Sequence, residues 1–230
     1  MAPWQKRSHV WIPLSFFLVA GLLAYLAIAR GGASLLWLWP AADCAAVGAA
    51  YFGFGARVFG KRSDGSLSPW AALPMLPFLA VIRIVWRLQV LLSPEPCWSE
   101  VVPGLFLGRL PLRGEYPEGI RLVVDMTAEF SKPDYHPASA GYRCLPTLDA
   151  FVPDSGACDA LVEEAFSAGS VFVHCANGHG RSAAFAAALL LRRGLARDVA
   201  EAMGIIRRAR PACRLNPVQT ALAGRYAPAP

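Results

Sequence analysis

The chain has 230 residues and a formal net charge of +6, with 55% hydrophobic and 17% charged residues. The excess charge lies at the front, since residues 1–92 carry eight Lys or Arg against two Asp, whereas residues 93–230 carry 14 basic and 14 acidic residues. The neutral second part offers no basic face for nucleic acid, and the apolar first part is expected to fold only against lipid.

The first predicted element is the uncharged apolar run Val10–Ala29, whose 20 residues are about the number needed to cross a hydrocarbon core of roughly 30 Å. Two basic residues, Lys6 and Arg7, precede it. A cleavable signal peptide is the alternative, because Ala27-Ile28-Ala29 is similar to a signal-peptidase site. The length of the run and the apolar sequence after it favour a retained transmembrane helix.

A second candidate span covers Ala33–Gly55 and contains Pro40 and Asp43. A carboxylate within a membrane is costly, so we expect Asp43 to lie near the headgroups or to meet a partner in the helix pair. Basic residues follow the span at once: Arg57, Lys61 and Arg62. Positive charge at both outer ends predicts a hairpin whose termini face the cytoplasm.

The third apolar stretch, Trp70–Leu92, has Pro74 and Pro77 in its first half. Arg83 and Arg87 are four residues apart and share one face of a helix whose other faces are apolar. This pattern predicts either an interfacial helix or a third crossing. An interfacial helix leaves the rest of the chain in the cytoplasm, and a third crossing places it outside.

Strands and helices alternate in the remainder of the chain. Tyr142–Leu145 and Ser170–Val173 are typical of short strands, while a helix is expected around Asp159–Ser167 and another over Ala183–Arg193, which contains neither Gly nor Pro. This alternation predicts an α/β domain with a central sheet flanked by helices.

The most informative segment is His174-Cys175-Ala176-Asn177-Gly178-His179-Gly180-Arg181-Ser182, between the last strand and its helix. First-turn N–H groups of a helix lack intrahelical partners and its dipole favours negative charge, so a tetrahedral oxyanion fits there. The same field stabilises the Cys175 thiolate. Gly178 and Gly180 permit a curled backbone whose amides point inward, and Arg181 offers a planar fork for two phosphate oxygens. The segment predicts an anion site with a nucleophile at its floor.

Cys175 through Ser182 resembles the C-x5-R-S/T signature of the cysteine-dependent protein tyrosine and dual-specificity phosphatases. The resemblance implies that Cys175 attacks phosphorus, Arg181 holds the equatorial oxygens and Ser182 stabilises the departing thiolate. It implies that His174 orients the loop. It also implies that six residues bind the phosphate: Ala176, Asn177, Gly178, His179, Gly180 and Arg181.

The resemblance covers roughly Cys97–Tyr226. Trp98-Ser99-Glu100 and Leu110-Pro111-Leu112-Arg113 are similar to the phosphatidylglycerophosphate phosphatase branch, the mitochondrial tyrosine-phosphatase-like enzymes. Further segments resemble the family's first strand, its second core strand with the following turn, and its closing helix pair: Val102–Gly108, Leu122–Glu129, and Ile206–Pro211 with Leu215–Gln219.

A cysteine phosphatase needs a general acid, because the leaving alkoxide or phenoxide must be protonated as the P–O bond breaks. In the family this acid is an Asp from a loop upstream of the nucleophile. Asp149 lies 26 residues before Cys175, and Asp154 lies 21 before it. We favour Asp149, because the strand Tyr142–Leu145 would deliver it to the carboxyl edge of the sheet. Asp149 could instead cap a turn, and Asp154 could cap the next helix.

The expected architecture is therefore a dual-specificity-phosphatase-like α/β domain preceded by a helical membrane region. The expected function is a multi-pass, membrane-anchored cysteine phosphatase that acts through a phosphocysteine on a phosphorylated protein or a phospholipid. We expect its catalytic domain to lie on the cytoplasmic side, because a thiolate nucleophile favours the reducing compartment. We expect no cofactor and no metal, because the six cysteines include no C-x2-C pair. Two alternatives are a catalytically silent phosphate-binding module and a rhodanese-like sulfurtransferase.

Residues 1–92 are predicted to form the membrane region, residues 97–226 the catalytic domain and residues 227–230 a disordered tail. Cys144 is a candidate partner for a reversible disulfide with Cys175, if the strands that carry the general acid and the nucleophile are neighbours. Ordinary strand packing is the favoured interpretation of Cys144.

Overall fold

The structure, a computed structural model, describes residues 10–228 and divides into two compact units. The first unit comprises the residues up to Arg62 together with Leu67–Leu92, and the second comprises Ser63–Ser66 and the chain from Ser93 onward. Lys6 and Arg7 lie outside the described residues, as do the last two residues of the predicted tail. Ala227 packs against the core of the second unit.

The first unit is helical. Its α-helices, in chain order, are α1 (Trp11–Arg30), α2 (Leu38–Ala49), α3 (Pro69–Ala72) and α4 (Leu76–Leu92). Tighter and wider helical turns precede and follow α2: the 3₁₀ turns Gly32–Trp37 and Gly55–Phe59, and the π-helical turn Ala50–Phe54.

Two helical stretches of this unit have the length and apolar composition that a membrane crossing requires, Trp11–Arg30 and Gly32–Phe59. The third apolar stretch is broken between α3 and α4 at Pro74, which has no N–H group to donate within a helix. Pro77 lies in the first turn of α4, where proline is tolerated. α4 is 17 residues long, so it spans about 26 Å at 1.5 Å per residue.

Asp43 lies on α2 and is 3% exposed. Its Oδ2 accepts a hydrogen bond of 3.0 Å from the backbone N–H of Phe78, in the first turn of α4. First-turn N–H groups lack helical partners, so the carboxylate caps α4 from the neighbouring helix. Of the two expected surroundings for Asp43, the structure shows a partner, although that partner belongs to α4 rather than to α1.

The second unit contains a five-stranded sheet. Its strands are β1 (Trp98–Val102), β2 (Leu105–Arg109), β3 (Leu122–Thr127), β4 (Gly141–Thr147) and β5 (Val171–Cys175). The spatial order is β1-β2-β5-β3-β4, with β1 antiparallel to β2 and the other pairs parallel. The strand that ends at Cys175 is therefore the central one.

The resemblance implied that Val102–Gly108 is a single strand, but the structure divides this segment between β1 and β2. Pro103 and Gly104 form a hairpin turn between β1 and β2, and Gly104 has a φ of 78° that favours glycine. Its N–H donates to Glu100 Oε1 at 3.0 Å. The hairpin adds β1 to the edge of the sheet.

Four helices complete the second unit: α5 (Ser155–Ala168), α6 (Arg181–Arg192), α7 (Val199–Ala209) and α8 (Pro217–Gly224). Alternate residues of the central strands, such as Val171, Val173 and Cys175, share one core with these helices. The opposite face of the sheet is covered by a smaller cluster around Val123 and Phe172. α6 is buried along almost its whole length.

The tetrapeptide Ser63–Ser66 lies against β4, the last strand in the sheet order. The backbone N–H of Lys132 donates to Gly65 O at 2.8 Å, and Cys144 Sγ lies 3.6 Å from Ser63 O. A Cβ on Gly65 would lie 2.4 Å from the hydroxyl of Tyr142. Glycine is thus required for this close approach to the sheet.

Candidate active site

The loop between β5 and α6 spans residues 176–180 and joins the carboxyl end of the central strand to the start of a helix. Gly178 has a φ of 78°, and a Cβ there would lie 2.4 Å from the carbonyl carbon of Gly108 on β2. Leu110 N donates to Ala176 O at 3.2 Å, which ties the loop to the chain after β2. The loop therefore needs glycine for both its conformation and its packing against the sheet.

Cys175 closes β5 and is 3% exposed. Its Sγ accepts a hydrogen bond of 3.2 Å from Gly178 N and lies 3.3 Å from the hydroxyl of Ser182. A backbone N–H and a hydroxyl therefore lie against the sulfur beside the N-terminus of α6, where the helix dipole favours negative charge.

Arg181 is buried at the start of α6. Its Nη1 donates to Glu129 Oε2 at 3.0 Å and to Thr147 O at 2.8 Å, while Nη2 donates to Glu129 Oε1 at 2.8 Å. Its Nε makes no hydrogen bond to the described residues and lies 3.4 Å from Asp149 Oδ1. The guanidinium is thus fixed on one edge and has a buried donor left on the other, as the binding of an oxyanion requires.

Glu129 balances the buried charge of Arg181. Burial alone would raise the pKa of the Glu129 carboxyl, but the charge and the hydrogen bonds of Arg181 outweigh this and hold that pKa below its ordinary value. The carboxylate and the guanidinium therefore both stay charged in the interior of the domain.

Asp149 and Asp154 occupy different surroundings. Asp149 follows β4 in a turn closed by a 3.1 Å hydrogen bond from Phe151 N to Leu148 O, and its side chain is 75% exposed. Asp154 is the N-cap of α5 and accepts a hydrogen bond of 3.1 Å from Ala157 N. Of the two, Asp149 contacts Arg181. Asp154 caps a helix, which was the alternative to its being the general acid.

His174 is fully buried on β5, opposite Gly108 of β2 and Asp125 of β3. Because successive side chains of a strand point to opposite faces, His174 and Cys175 face different sides of the sheet. The His174 ring lies against Phe172, and its Nδ1 is 3.9 Å from Asp125 Oδ1. His174 can thus act on the loop through the strand and not by contact with phosphate.

Arg210 supports the loop from its outer side. Its Nε and Nη2 donate to the carbonyl oxygens of Gly178 and Asn177, at 3.2 and 3.4 Å. Nη2 also donates to Glu95 Oε2 at 3.1 Å, and the same oxygen lies 2.6 Å from His179 Nε2. Carbonyls held outward leave the amides of a curled loop free to turn inward.

Three residues of this arrangement were absent from the residues predicted from the sequence: Glu129, Glu95 and Arg210. An acid directly after the apolar strand β3 is a signal that could have found Glu129, because the carboxyl ends of parallel strands meet at one edge. Arg210 lies in a run of arginines, and nothing in the sequence indicates which of them would bind the loop. Glu95 lies about 80 residues before the loop, and no spacing in the sequence connects the two.

The strand order excludes Cys144 as a disulfide partner of Cys175. Strand β3 lies between β4 and β5, with Asp125 opposite both Cys144 and His174. Two strand spacings amount to ~10 Å, whereas the Cα atoms of a disulfide lie at most about 7 Å apart. Cys144 therefore cannot reach Cys175 without a movement of the sheet.

Three further cysteines are buried away from solvent. Burial raises the pKa of Cys97 and of Cys213 to about 12, and that of Cys158 to about 11. Among residues 10–228, no three His, Cys, Asp or Glu side chains are grouped as a metal site.

Comparison with curated proteins finds human dual specificity phosphatase 28, which is 31% identical over 130 residues, 53% of this chain and 73% of that protein. Among solved structures, the crystal structure of PTPMT1 in complex with PI(5)P is 22% identical, with 56% of this chain and 94% of that chain covered and a TM-score of 0.50. The crystal structure of human DUSP28 is 28% identical, with 58% and 94% covered and a TM-score of 0.47. No protein-family model matches the chain.

The likeness to PTPMT1 shows that the second unit shares its fold, a mixed sheet flanked by helices, as the sequence predicted. The similarity to human dual specificity phosphatase 28 then identifies the family: this chain belongs to the dual-specificity phosphatases and is a phosphatase. The resemblance to the phosphatidylglycerophosphate phosphatase branch remains a resemblance, since the likeness to PTPMT1 at this identity is one of fold.

Proposed function

We propose that this protein is a membrane-anchored cysteine phosphatase that hydrolyses phosphomonoesters through a phosphocysteine. The observation that carries the proposal is the position of Arg181, whose charge interacts with both Cys175 and Asp149. Its buried Nε makes no hydrogen bond to the described residues and lies 3.4 Å from Asp149 Oδ1. Arg181 and the amides of residues 176–180 bind the phosphate oxygens. His174 supports the loop from within the strand.

In the first step the Cys175 thiolate attacks phosphorus and forms the S–P bond as the P–O bond breaks. The leaving oxygen takes its proton from Asp149. In the second step a water molecule gives a proton to Asp149 and attacks phosphorus, so that phosphate leaves and the thiolate is regained. The Ser182 hydroxyl, 3.3 Å from Sγ, stabilises that departing thiolate.

The packing of α1 supports a membrane location for the first unit. The buried residues of α1 are small or lack a long side chain, namely Pro13, Ala20 and Ala27. Its large apolar residues point outward, and examples are Leu18, Leu22 and Ile28. A helix of a soluble protein buries its large apolar residues, whereas helices in lipid pack through small ones.

The contact between α1 and α2 also favours a retained helix over a cleaved signal peptide. Gly48 on α2 admits the ring of Phe17, whose nearest atoms would lie 3.1 Å from a Cβ at that position. Phe16 and Tyr51 stack with ring centroids 6.0 Å apart. We infer that α1 and α2 form a transmembrane hairpin.

α4 is better suited to the membrane interface than to a crossing. Its exposed apolar residues form one stripe, and Arg83 and Arg87 are exposed on another face; the stripe consists of Val81, Ile84, Val85, Leu88, Leu91 and Leu92. A crossing would place Arg83 near the centre of the bilayer, where residues 10–228 offer it no charged partner, at a cost of several kcal/mol. An interfacial α4 gives two crossings, with the catalytic domain on the cytoplasmic side.

We propose residues 1–92 as the membrane region and residues 97–226 as the catalytic domain, with a tail at 227–230. Only four residues separate α4 from Cys97, so anchoring raises the effective concentration of substrates carried by the same membrane. A solved structure of PTPMT1 is a complex with PI(5)P. We therefore propose a phospholipid monoester or a phosphorylated membrane protein as the substrate.

The test is phosphate release by the full-length protein in vesicles, from phosphatidylglycerophosphate, phosphoinositides and phosphopeptides in parallel, with Cys175→Ser as the blank. Release that depends on Cys175 is expected, and preference by about tenfold, or ~1.4 kcal/mol, identifies the substrate class. No Cys175-dependent release from any substrate would overturn the proposal in favour of a phosphate-binding module. Thiosulfate:cyanide sulfurtransferase activity would instead identify a rhodanese-like enzyme.

The proposed topology is tested with reporters fused after Pro230 in a bacterial host. A fluorescent protein that matures only in the cytoplasm should be bright, and an alkaline phosphatase active only outside should be silent. The reverse result would mean that α4 crosses the membrane.

A further inference from the structure

The turn that carries Asp149 has an unusual backbone. Ala150 has a φ of 61°, and it is the only residue other than glycine with a positive φ among residues 10–228. This conformation costs an L-residue roughly 1–2 kcal/mol and persists only where the surroundings hold it. The hydrogen bond from Phe151 N to Leu148 O closes the turn but does not bind Ala150 itself.

The residue that binds Ala150 is Asn216, from a distant part of the chain. Its Nδ2 donates to Ala150 O at 2.7 Å, and its Oδ1 accepts from Gln219 N at 3.0 Å as the N-cap of α8. One side chain therefore joins the Asp149 turn to the start of α8, and α8 packs against α6, the helix that begins with Arg181.

We propose that Asn216 is the positioning residue of the general acid: its amide holds Ala150 in the left-handed conformation and thereby aims the Asp149 carboxyl at the leaving oxygen. The inference rests on the proposed role of Asp149. Asp149 is mostly exposed, and its side-chain oxygen lies 3.4 Å from Arg181 Nε, so its position depends on the backbone of the turn. Without the Asn216 bond the turn relaxes and the carboxyl leaves the site.

The chemistry of Asn216 allows its two roles to be separated. Asn216→Asp and Asn216→Ser keep an oxygen that caps α8, because Asp and Ser are good N-cap residues, but both lack the N–H group that binds Ala150. Asp198→Ala is the matched control, since Asp198 caps α7 by accepting a hydrogen bond of 2.8 Å from Glu201 N. It removes a cap without touching the Asp149 turn.

The readout is the dependence of kcat/KM on the leaving group, measured with full-length protein. Phenyl phosphate, with a strongly basic leaving oxygen, needs the acid, and p-nitrophenyl phosphate needs it far less. We expect Asn216→Asp and Asn216→Ser to lower kcat/KM for phenyl phosphate at least tenfold and that for p-nitrophenyl phosphate less than threefold. Asp198→Ala should lower Tm and keep the wild-type ratio of the two substrates.

Asp149→Asn separates the inference from the proposal on which it rests. This variant should lower kcat/KM for phenyl phosphate by a larger factor than either Asn216 variant does. If Asp149→Asn keeps the wild-type ratio, the assignment of the general acid is wrong and the inference is overturned with it. If Asp149→Asn changes the ratio and both Asn216 variants do not, the inference alone is overturned.

Discussion

The carboxylate of Glu129 and the guanidinium of Arg181 meet in parallel, with Oε1–Nη2 and Oε2–Nη1 distances of 2.8 and 3.0 Å. Two parallel bonds fix the plane of the guanidinium as well as its position. Nε is left outside this pairing: it lies 3.4 Å from Asp149 Oδ1 and makes no hydrogen bond to the described residues. Glu129 thus orients the group that is proposed to bind phosphate.

Glu129→Gln is expected to lower kcat/KM about tenfold or more and to weaken inhibition by inorganic phosphate in parallel. The variant loses the negative charge that balances Arg181, and a hydrogen bond to a charged group contributes about 1.5–3 kcal/mol. Glu163→Gln is the matched control, because Glu163 and Arg192 form the same type of pair at the surface. Surface pairs contribute little, so an equal loss in both variants would contradict this role.

The stability of the domain should fall in acid because of two paired carboxyls. Burial alone would raise the pKa of Glu129 and of Glu115, but Arg181 and Arg109 respectively hold both pKa values below the ordinary 4.5. A carboxyl whose pKa is lower in the folded state stabilises above its unfolded pKa and loses this contribution as pH falls through the folded value. The Tm should therefore fall as the pH is lowered below about 4.5. Glu129→Gln should make the dependence of Tm on pH in this range less steep. An unchanged slope would show that other groups govern acid unfolding.

Gly178→Ala should abolish turnover and destabilise the domain. A Cβ at this position meets the backbone of β2, which cannot move aside as a flexible side chain would, and φ is 78°. Gly194→Ala isolates the effect of φ, because Gly194 has a φ of 70° and no atom within 4 Å of its Cβ position. We expect Gly194→Ala to lower the free energy of unfolding by about 1–2 kcal/mol, measured with denaturant. Gly178→Ala should lower it by a clearly larger amount. Equal losses would mean that the contact with Gly108 is unimportant.

Glu95→Ala should loosen the phosphate loop from its outer side. The variant removes the carboxylate that binds both Arg210 and His179, so tungstate binding to the Cys175→Ser protein should weaken about tenfold. Glu95→Gln keeps an oxygen at the same distance along the side chain and should restore most of the affinity. Glu118→Ala, at an exposed acidic residue, should bind as the parent does. Unaltered affinity in Glu95→Ala would remove Glu95 from the support of the loop.

Asp43→Leu should release the first turn of α4, whereas Asp43→Asn should not. Asn keeps an oxygen for the N–H of Phe78, and Leu leaves that donor without an acceptor in an apolar setting. Limited proteolysis in detergent should cut near Pro74–Phe78 faster in the Leu variant. Equal cutting of both variants would mean that the cap does not hold α4.

The central part of the fold could be predicted because its sequence signals are local. The apolar run that ends at Cys175 and the Gly-free helix after it bracket the loop in sequence, and the structure moves their bounds by one or two residues only. Pro74, likewise visible in the sequence, lies in the break between α3 and α4. These elements depend on propensities of adjacent residues, which a sequence displays directly.

What the sequence did not reveal are partnerships across long separations. Strand order is one example: nothing near Cys144 indicates that β3 lies between its strand and Cys175. The bond from Asn216 to Ala150 is another, since its geometry arises only when α8 packs beside the turn. Such contacts depend on tertiary packing, and their residue types alone predict only caps and turns.

The second unit is not continuous in sequence, because the tetrapeptide Ser63–Ser66 belongs to it although it precedes α3 and α4. β4 ends the sheet order, and a terminal strand presents unpaired backbone groups to which other chains can add. The tetrapeptide covers part of this strand beside Tyr142. A shortened protein that begins at Ser93 would keep every residue proposed for catalysis and yet expose this edge, so such a protein is expected to self-associate while its active site remains intact.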